Sequence, residues 1–186
     1  TDYTGFSPVD LGVSFVSIGA GGGGGGGGDG SLIGDGTMEA WGSDYHWWQP
    51  PPTTVPIEFK NVKFKAIAAG RYHTTALTEN GTLMGWGYSA GEIPANLIGV
   101  KFKAIAAGTF HSLAVKIDGT VVAWGFNEGG PLNVPATLTE VTAVAAGFGH
   151  SMALRSNGTV VVWGLQYTRG EMPDDLTRVS ANPVTA

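Results

Sequence analysis

The feature that most constrains the fold of this chain is an internal repeat. Each copy contains a segment that ends in Ala-Ala-Gly, a histidine three residues after that glycine, an Asn-Gly-Thr or Asp-Gly-Thr turn, and a Trp-Gly pair. The histidines are spaced 38 and 39 residues apart, and so are the tryptophans: His73, His111, His150, Trp86, Trp124 and Trp163. A repeat of this length indicates that one small structural unit is used several times.

A further copy at the front of the chain is altered. It keeps an Asp-Gly-Thr turn at 35–37 and the Trp41-Gly42 pair, but a run of glycines at 21–28 replaces the segment that should carry the histidine. We therefore divide the chain into the end of a preceding repeat (1–13), an altered first repeat (14–61), a second repeat (62–99), a third (100–140), a fourth (141–178) and a tail (179–186).

Each copy reads as short antiparallel strands. Asn-Gly and Asp-Gly between apolar runs predict two-residue hairpin turns in which both central residues have positive φ. The Val-rich runs at 120–124 and 159–163 are typical of strands buried on both faces. Small residues before each histidine predict strands that crowd around an axis, and one tryptophan per copy supplies a wedge between sheets. The sequence thus predicts an all-β fold of β-propeller blades, about four repeats of 38–39 residues.

The ends of the chain bear on how such a propeller closes. The pattern Pro-x-x-Leu-x-x-Val closes the second and third repeats and occurs again at 173–179. A copy that is one residue shorter occurs at 8–13. The two ends therefore repeat one element instead of complementing each other. We expect the blades to be part of a larger ring, or of a ring completed by another copy or a partner; a self-contained ring of four blades is the alternative.

The third copy carries the fullest set of repeat residues, namely Val100, Ile105, Ala106, Ala107, Gly108, His111, Ser112, Leu113, Asp118, Gly119, Thr120, Trp124, Gly125, Asn127, Gly129, Val134 and Pro135. In these residues the chain resembles the regulator-of-chromosome-condensation repeat. Its short repeats are most similar to the bacterial branch, which includes a secreted β-lactamase-inhibiting propeller. The resemblance implies a ring, usually of seven blades, that acts through its loops and faces as an exchange factor, an inhibitor or an adaptor.

Composition excludes several classes of function. The chain contains no cysteine, which rules out disulfides, thiolate zinc sites and cysteine nucleophiles. A net charge of -5 argues against nucleic acid as a partner, and no apolar run is long enough to span a membrane. Lysines flank Phe64 and Phe102 on equivalent strands, which predicts a solvated face, with a basic stripe for an anionic partner as the alternative.

Two patterns that suggest chemistry have simpler explanations. Residues 87–91 read Gly-Tyr-Ser-Ala-Gly, the nucleophile elbow of hydrolases, but that motif needs a helix after the serine, and the following Glu-Ile-Pro starts one poorly. The repeated histidines suggest metal ligands. Equivalent positions in successive blades are related by rotation, however, so we expect each histidine to bond to the backbone of its own blade. We predict no catalytic residue, no metal and no cofactor, with a serine hydrolase that uses Ser89 as the alternative.

The loop after Trp41-Gly42 is the strongest candidate for a binding site. Its adjacent aromatic residues exceed what one strand can bury on a single face, and the prolines at 50–52 would stiffen it. Corresponding loops in the other copies also begin with an aromatic residue, which predicts an aromatic rim. The predicted binding residues are Tyr45, His46, Trp47, Trp48, Tyr88, Phe126 and Tyr167. In the alternative, the first of these loops folds back and covers the altered blade.

These observations predict a non-enzymatic module that presents propeller loops to a protein or a surface polymer. A secreted, cell-surface or virion-associated location fits the low charge and abundant glycine, and a cytoplasmic one is also compatible. The alternatives are an inhibitor of a secreted enzyme, a GTPase exchange factor or chromatin adaptor, and the hydrolase.

Overall fold

The computed structural model of the chain describes residues 15–19, 28–33, 36–42 and 55–164. Within these residues, twelve strands form four three-stranded antiparallel sheets, and each sheet takes its strands in chain order. The first sheet contains β1 (Phe15–Gly19), β2 (Gly28–Ile33) and β3 (Met38–Gly42), and the second contains β4 (Phe64–Ala69), β5 (His73–Thr78) and β6 (Leu83–Gly87). The third contains β7 (Phe102–Ala107), β8 (His111–Lys116) and β9 (Val121–Gly125), and the fourth contains β10 (Val141–Ala146), β11 (His150–Arg155) and β12 (Val160–Gly164).

The sheets follow one another as propeller blades. The first strand of each later sheet lies against the first two strands of the sheet before it, so that β4 meets β1 and β2, β7 meets β4 and β5, and β10 meets β7 and β8. Short 3-10 turns at Ile57–Phe59, Ser89–Gly91 and Ala95–Leu97 lie in the connections, and the described part of the chain contains no α-helix. The predicted all-β propeller fold is therefore confirmed.

A β-bulge recurs near the start of the first strand of every blade. In β4 the register moves from Phe64 opposite Thr78 to Ala66 opposite Leu77, which leaves Lys65 without a partner across the ladder. The same shift occurs in β1, β7 and β10. The bulge keeps the residue before it buried while the lysine faces solvent, so the predicted solvated face is confirmed.

The hairpin turns differ from the two-residue type predicted. In the Thr78–Thr82 hairpin only Gly81 has positive φ, at 87°, and the loop holds three residues. This is a type I turn followed by a left-handed glycine. The side-chain oxygen of Asn80 then accepts hydrogen bonds from the backbone and the hydroxyl of Thr82. Asp118 and Asn157 do the same for Thr120 and Thr159, which explains why the motif reads Asn or Asp, then Gly, then Thr.

Close packing explains why the Ala-Ala-Gly segment ends in glycine. A Cβ on Gly108 would collide with the carbonyl of Gly147 in the next blade and with the ring of His111 in its own blade. The equivalent glycines of the second and fourth blades are equally crowded by their own histidines. The prediction that the inner strands must be small because they crowd together is consistent with this packing.

The joints between neighbouring sheets are apolar, and each contains one buried indole: Trp86 at the first joint, Trp124 at the second and Trp163 at the third. At the second joint Leu77 from the second sheet meets Phe102 from the third around Trp124. These three tryptophans are 4–7% exposed. The predicted wedge of one indole per blade is confirmed for these three residues.

A polar contact crosses the second and the third joint beside the indole. His73 Nε2 lies 2.9 Å from Ser112 Oγ, and His111 Nε2 lies 3.0 Å from Ser151 Oγ. These two histidines thus bond to a serine of the next blade, and the prediction that they bond to the backbone of their own blade was wrong.

Candidate functional site

Two loops lie side by side at one end of each blade. One joins the first and second strands, and the other follows the third strand. The backbone N–H of Tyr88 donates to the carbonyl of Tyr72 at 2.8 Å, and that of Phe126 donates to the carbonyl of Phe110 at 2.9 Å. These bonds extend the antiparallel ladder by one pair beyond the strands, so the loop residues are held by the rigid blade.

Phe110 is the centre of an aromatic cluster at this end. Its ring stacks on Tyr72, with centroids 5.3 Å apart and an interplanar angle of 24°. Phe126 and Phe148 meet it edge-on, at 6.2 Å and 5.9 Å. Tyr88 occupies in the second blade the position that Phe126 occupies in the third. We call the surface formed by these five residues the aromatic face: Tyr72, Tyr88, Phe110, Phe126 and Phe148.

The outer members of the aromatic face are open to solvent. Tyr88, Phe126 and Phe148 are 56%, 53% and 51% exposed, whereas Tyr72 and Phe110 are half-buried beneath them. The guanidinium of Arg71 lies 5.1 Å from the centre of the Tyr72 ring and adds a cation–π contact at one side. The face therefore combines a packed base with exposed aromatic edges.

Charge is sparse on the loops that form the aromatic face. They carry Arg71, Glu92 and Glu128, whereas the opposite ends of the same blades carry most of the lysines, with Lys63, Lys65, Lys101, Lys103 and Lys116 beside Glu79, Asp118 and Glu140. The two ends of the blades thus differ in chemistry, one aromatic and the other charged. Contacts at the aromatic end would depend on apolar burial more than on long-range electrostatics.

The buried histidines beneath this face have a structural role. His73 and His111 are fully buried, and their Nδ1 atoms have no hydrogen-bond partner among the described residues. Burial, together with the smaller effect of the neighbouring imidazole of the next blade, lowers the pKa of both from 6.5 to about 4. Both rings are therefore neutral near physiological pH.

Metal binding and hydrolase chemistry gain no support from this geometry. Across 15–19, 28–33, 36–42 and 55–164, no three His, Asp or Glu side chains are grouped to hold a metal ion. The segment at 89–91 forms a single 3-10 turn, so the helix that a nucleophile elbow requires does not follow Ser89 within the described chain. No helix of the described residues is long and apolar enough to cross a membrane.

The structure places two of the predicted binding residues, Tyr88 and Phe126, at one end of neighbouring blades, both more than half exposed. Tyr45, His46, Trp47, Trp48 and Tyr167 lie outside the described residues. Sequence reasoning missed Tyr72, Phe110 and Phe148, because it treated the two positions before each histidine as variable. The signal was present, since these positions hold an aromatic residue in each of the three later repeats.

Three segments of the chain, 64–90, 102–130 and 141–168, match the sequence model of the regulator of chromosome condensation (RCC1) repeat. No curated protein sequence matches the chain.

Solved structures with a similar fold include Kap60 bound to yeast RCC1 (Prp20), with 22% identity, 86% of this chain and 45% of that chain covered, and a TM-score of 0.62. Another is Prp20p from Saccharomyces cerevisiae, with 21% identity, 86% of this chain and 45% of that chain covered, and a TM-score of 0.61. A third is the CRINKLY WD40 ectodomain of the Arabidopsis thaliana receptor kinase ACR4, with 23% identity and a TM-score of 0.60. The match covers 82% of this chain and 51% of that chain. This chain thus spans about half the length of each of these proteins, and at such identities the likeness shows the fold.

Proposed function

We propose that this chain, three of whose repeats match the RCC1 repeat, is a protein-interaction module that binds its partner through the aromatic face. The observation that carries the proposal is the exposed position of Phe126 and Phe148 on either side of Phe110. These rings span two neighbouring blades and form one surface.

Exposed aromatic clusters of this kind supply binding energy. A ring buries 150–250 Å² when it is covered, and tryptophan, tyrosine and arginine dominate the residues whose loss weakens protein interfaces. Stacking with Phe110 limits the rotamers open to the exposed rings, so that less side-chain entropy is lost when a partner covers them. Arg71 at the margin adds a donor for a polar rim.

The blades hold the aromatic face rigidly. Gly108 N–H donates to the carbonyl of His111 at 2.8 Å, which closes the loop that carries Phe110. Thr109 N–H donates across the joint to the carbonyl of Gly147 at 3.1 Å, and this bond ties the loop to the blade that carries Phe148. The relative position of the rings is therefore set by backbone bonds and is largely preformed.

A protein is the partner class that the similar structures favour. One of these structures shows yeast Prp20 bound to Kap60. Another is reported together with the binding of Prp20p to Gsp1p and histones. By analogy we expect this chain to bind a protein, and a surface polymer is the other partner class that the sequence allows. Nothing in the described structure favours an inhibitor, an exchange factor or a hydrolase that uses Ser89.

Photo-cross-linking in cells or lysate that contain the natural partner tests this proposal. A benzophenone side chain replaces Phe126 in one variant, Phe148 in a second and Ile117 in a third, and adducts are identified by mass spectrometry. Ile117 is 61% exposed and lies in the hairpin turn at the opposite end of the third blade, so it is a matched control.

We expect one shared protein adduct from the positions of Phe126 and Phe148, lost when the other ring is changed to alanine. The proposal is wrong if Ile117 gives the same adduct, or if both aromatic positions give none.

A further inference from the structure

Two Asn-Gly pairs lie in hairpin turns of the described blades, Asn80-Gly81 in the second and Asn157-Gly158 in the fourth, and both asparagines are exposed. Asparagine before glycine is prone to deamidation, because glycine has no side chain to hinder ring closure. In this reaction the glycine backbone nitrogen loses its proton and forms a bond to Cγ of the asparagine, and the side-chain nitrogen leaves as ammonia. Water then opens the cyclic imide to aspartate or isoaspartate.

Both reacting groups of the pair in the second blade are held by hydrogen bonds. The N–H of Gly81 donates to the carbonyl of Thr78 at 2.9 Å. The Oδ1 atom of Asn80 accepts from the hydroxyl of Thr82 at 3.0 Å and from its N–H at 3.3 Å. Ring closure removes the proton of the glycine N–H and turns the asparagine carbonyl away from Thr82, so these bonds have to break first.

The third blade holds the same turn from outside. Lys101 Nζ donates to the backbone carbonyl of Asn80 at 2.8 Å, and the N–H of Phe102 donates to the carbonyl of Gly81 at 2.8 Å. The pair is therefore fixed within its own hairpin and against the next blade, and it becomes reactive only through local opening of the turn.

The turn of the fourth blade repeats the bonds within the hairpin. The N–H of Gly158 donates to the carbonyl of Arg155 at 3.0 Å. Oδ1 of Asn157 accepts from the hydroxyl of Thr159 at 2.7 Å and from its N–H at 3.0 Å. Deamidation of this pair therefore also requires the hairpin to open.

A single hydroxyl distinguishes the turn of Asn80 from that of Asn157. Thr78 is 4% exposed, and its hydroxyl donates to Oδ1 of Asn80 at 2.7 Å. Its oxygen also accepts from the N–H of Thr82 at 3.0 Å. Arg155 holds the same register position in the fourth blade, where its guanidinium bonds to a backbone carbonyl and not to Asn157. The asparagine of the second blade is thus held by one more side chain of its own hairpin.

We propose that Asn80 and Asn157 are deamidation sites of this chain, that they react only when their hairpins open, and that Asn157 reacts first because Thr78 holds Asn80. The third repeat shows that one product fits the turn. Asp118, in the same position, accepts from the N–H and the hydroxyl of Thr120 at 2.9 Å and 2.7 Å. Isoaspartate lengthens the main chain by one carbon, so it would disrupt the loop of three residues.

Peptide mapping by mass spectrometry, after long incubation of the whole chain at mildly alkaline pH, tests the proposal because it separates asparagine, aspartate and isoaspartate at each position. We expect Asn157 to convert several-fold faster than Asn80 in the folded chain. In the chain unfolded by urea both should convert faster, and at nearly equal rates. This comparison uses the wild-type chain and needs no variant to fold.

Thr78→Val isolates the effect of the hydroxyl. Thr75→Val is the matched control, since Thr75 is buried in the same strand but lies outside the turn. We expect Thr78→Val to raise the rate at Asn80 several-fold and to leave Asn157 unchanged, and Thr75→Val to change neither. A rate at Asn80 that equals or exceeds that at Asn157 in the folded chain, folded rates that match those in urea, or equal effects of the two variants would overturn the proposal.

Discussion

His111 donates a hydrogen bond from Nε2 to Oγ of Ser151 across the joint between the third and fourth blades, over 3.0 Å. The direction follows from the serine, whose hydroxyl donates to the carbonyl of Pro131 and so must accept from the ring. The same carbonyl accepts from the indole N–H of Trp163 at 2.8 Å. Histidine, serine, indole and loop carbonyl therefore form one polar unit at the joint, beneath the loops of the aromatic face.

Ser151→Ala should destabilise the chain by about 1–3 kcal/mol, because it leaves the buried Nε2–H of His111 without an acceptor. Urea unfolding measures the change. Ser156→Ala is the control, since Ser156 is exposed, and its effect should be within about 0.5 kcal/mol. Equal effects of the two substitutions would show that the joint does not depend on this bond.

Gly108→Ala should destabilise the chain by several kcal/mol or prevent folding, because the new methyl group would collide with backbone in the next blade. Gly99→Ala separates this collision from backbone strain. Gly99 has φ of 78° and nothing within 4 Å of an added Cβ, so its substitution should cost only about 1 kcal/mol. The comparison is made by thermal unfolding, and similar losses at the two positions would contradict the close packing of the inner strands.

Acid should weaken the fold through His73 and His111. Their pKa falls from 6.5 to about 4 on folding, so between these values the unfolded chain binds protons that the folded chain does not. Their contribution is complete above pH 6.5, declines as the pH falls and is lost below about 4, and it is at most about 3 kcal/mol for each ring. Unfolding free energies of wild type and of the His73→Gln/His111→Gln variant are compared across this window. If the unfolding free energy changed with pH equally in both proteins, these histidines would not be the source of the acid sensitivity.

Asn157→Ala should destabilise the fourth hairpin by about 1 kcal/mol, because it removes the acceptor that holds both the N–H and the hydroxyl of Thr159. Asn157→Asp should be nearly neutral, since Asp118 holds Thr120 in the same way and these hydrogen bonds lower the pKa of Asp118. Urea unfolding distinguishes the two variants. An aspartate variant as unstable as the alanine variant would contradict this role for the side-chain oxygen.

The sequence was sufficient to predict the blades, because the repeat fixes three kinds of residue whose roles are local. The small residues of the inner strand, the glycine of the turn and the tryptophan between the sheets are each required for one physical reason. That reason is the same in each repeat that contains the residue. Trp124, for example, is buried where the period alone would place it.

Contacts between blades could not be predicted in the same way. The partner of His111 lies in another repeat, at Ser151, and no local pattern joins the two. The aromatic face was missed for a related reason. Phe110 and Phe148 stand at different positions before their histidines, and only the rotation from one blade to the next brings the rings together.

The measurement that tests the account most directly is the affinity of the chain for the protein captured by cross-linking, obtained by isothermal titration. Phe126→Ala combined with Phe148→Ala should weaken binding at least tenfold while thermal unfolding stays near that of wild type, since both rings are exposed. Ile117→Ala should bind as wild type does. Unchanged affinity of the double variant, or an equal loss with Ile117→Ala, would contradict binding through the aromatic face.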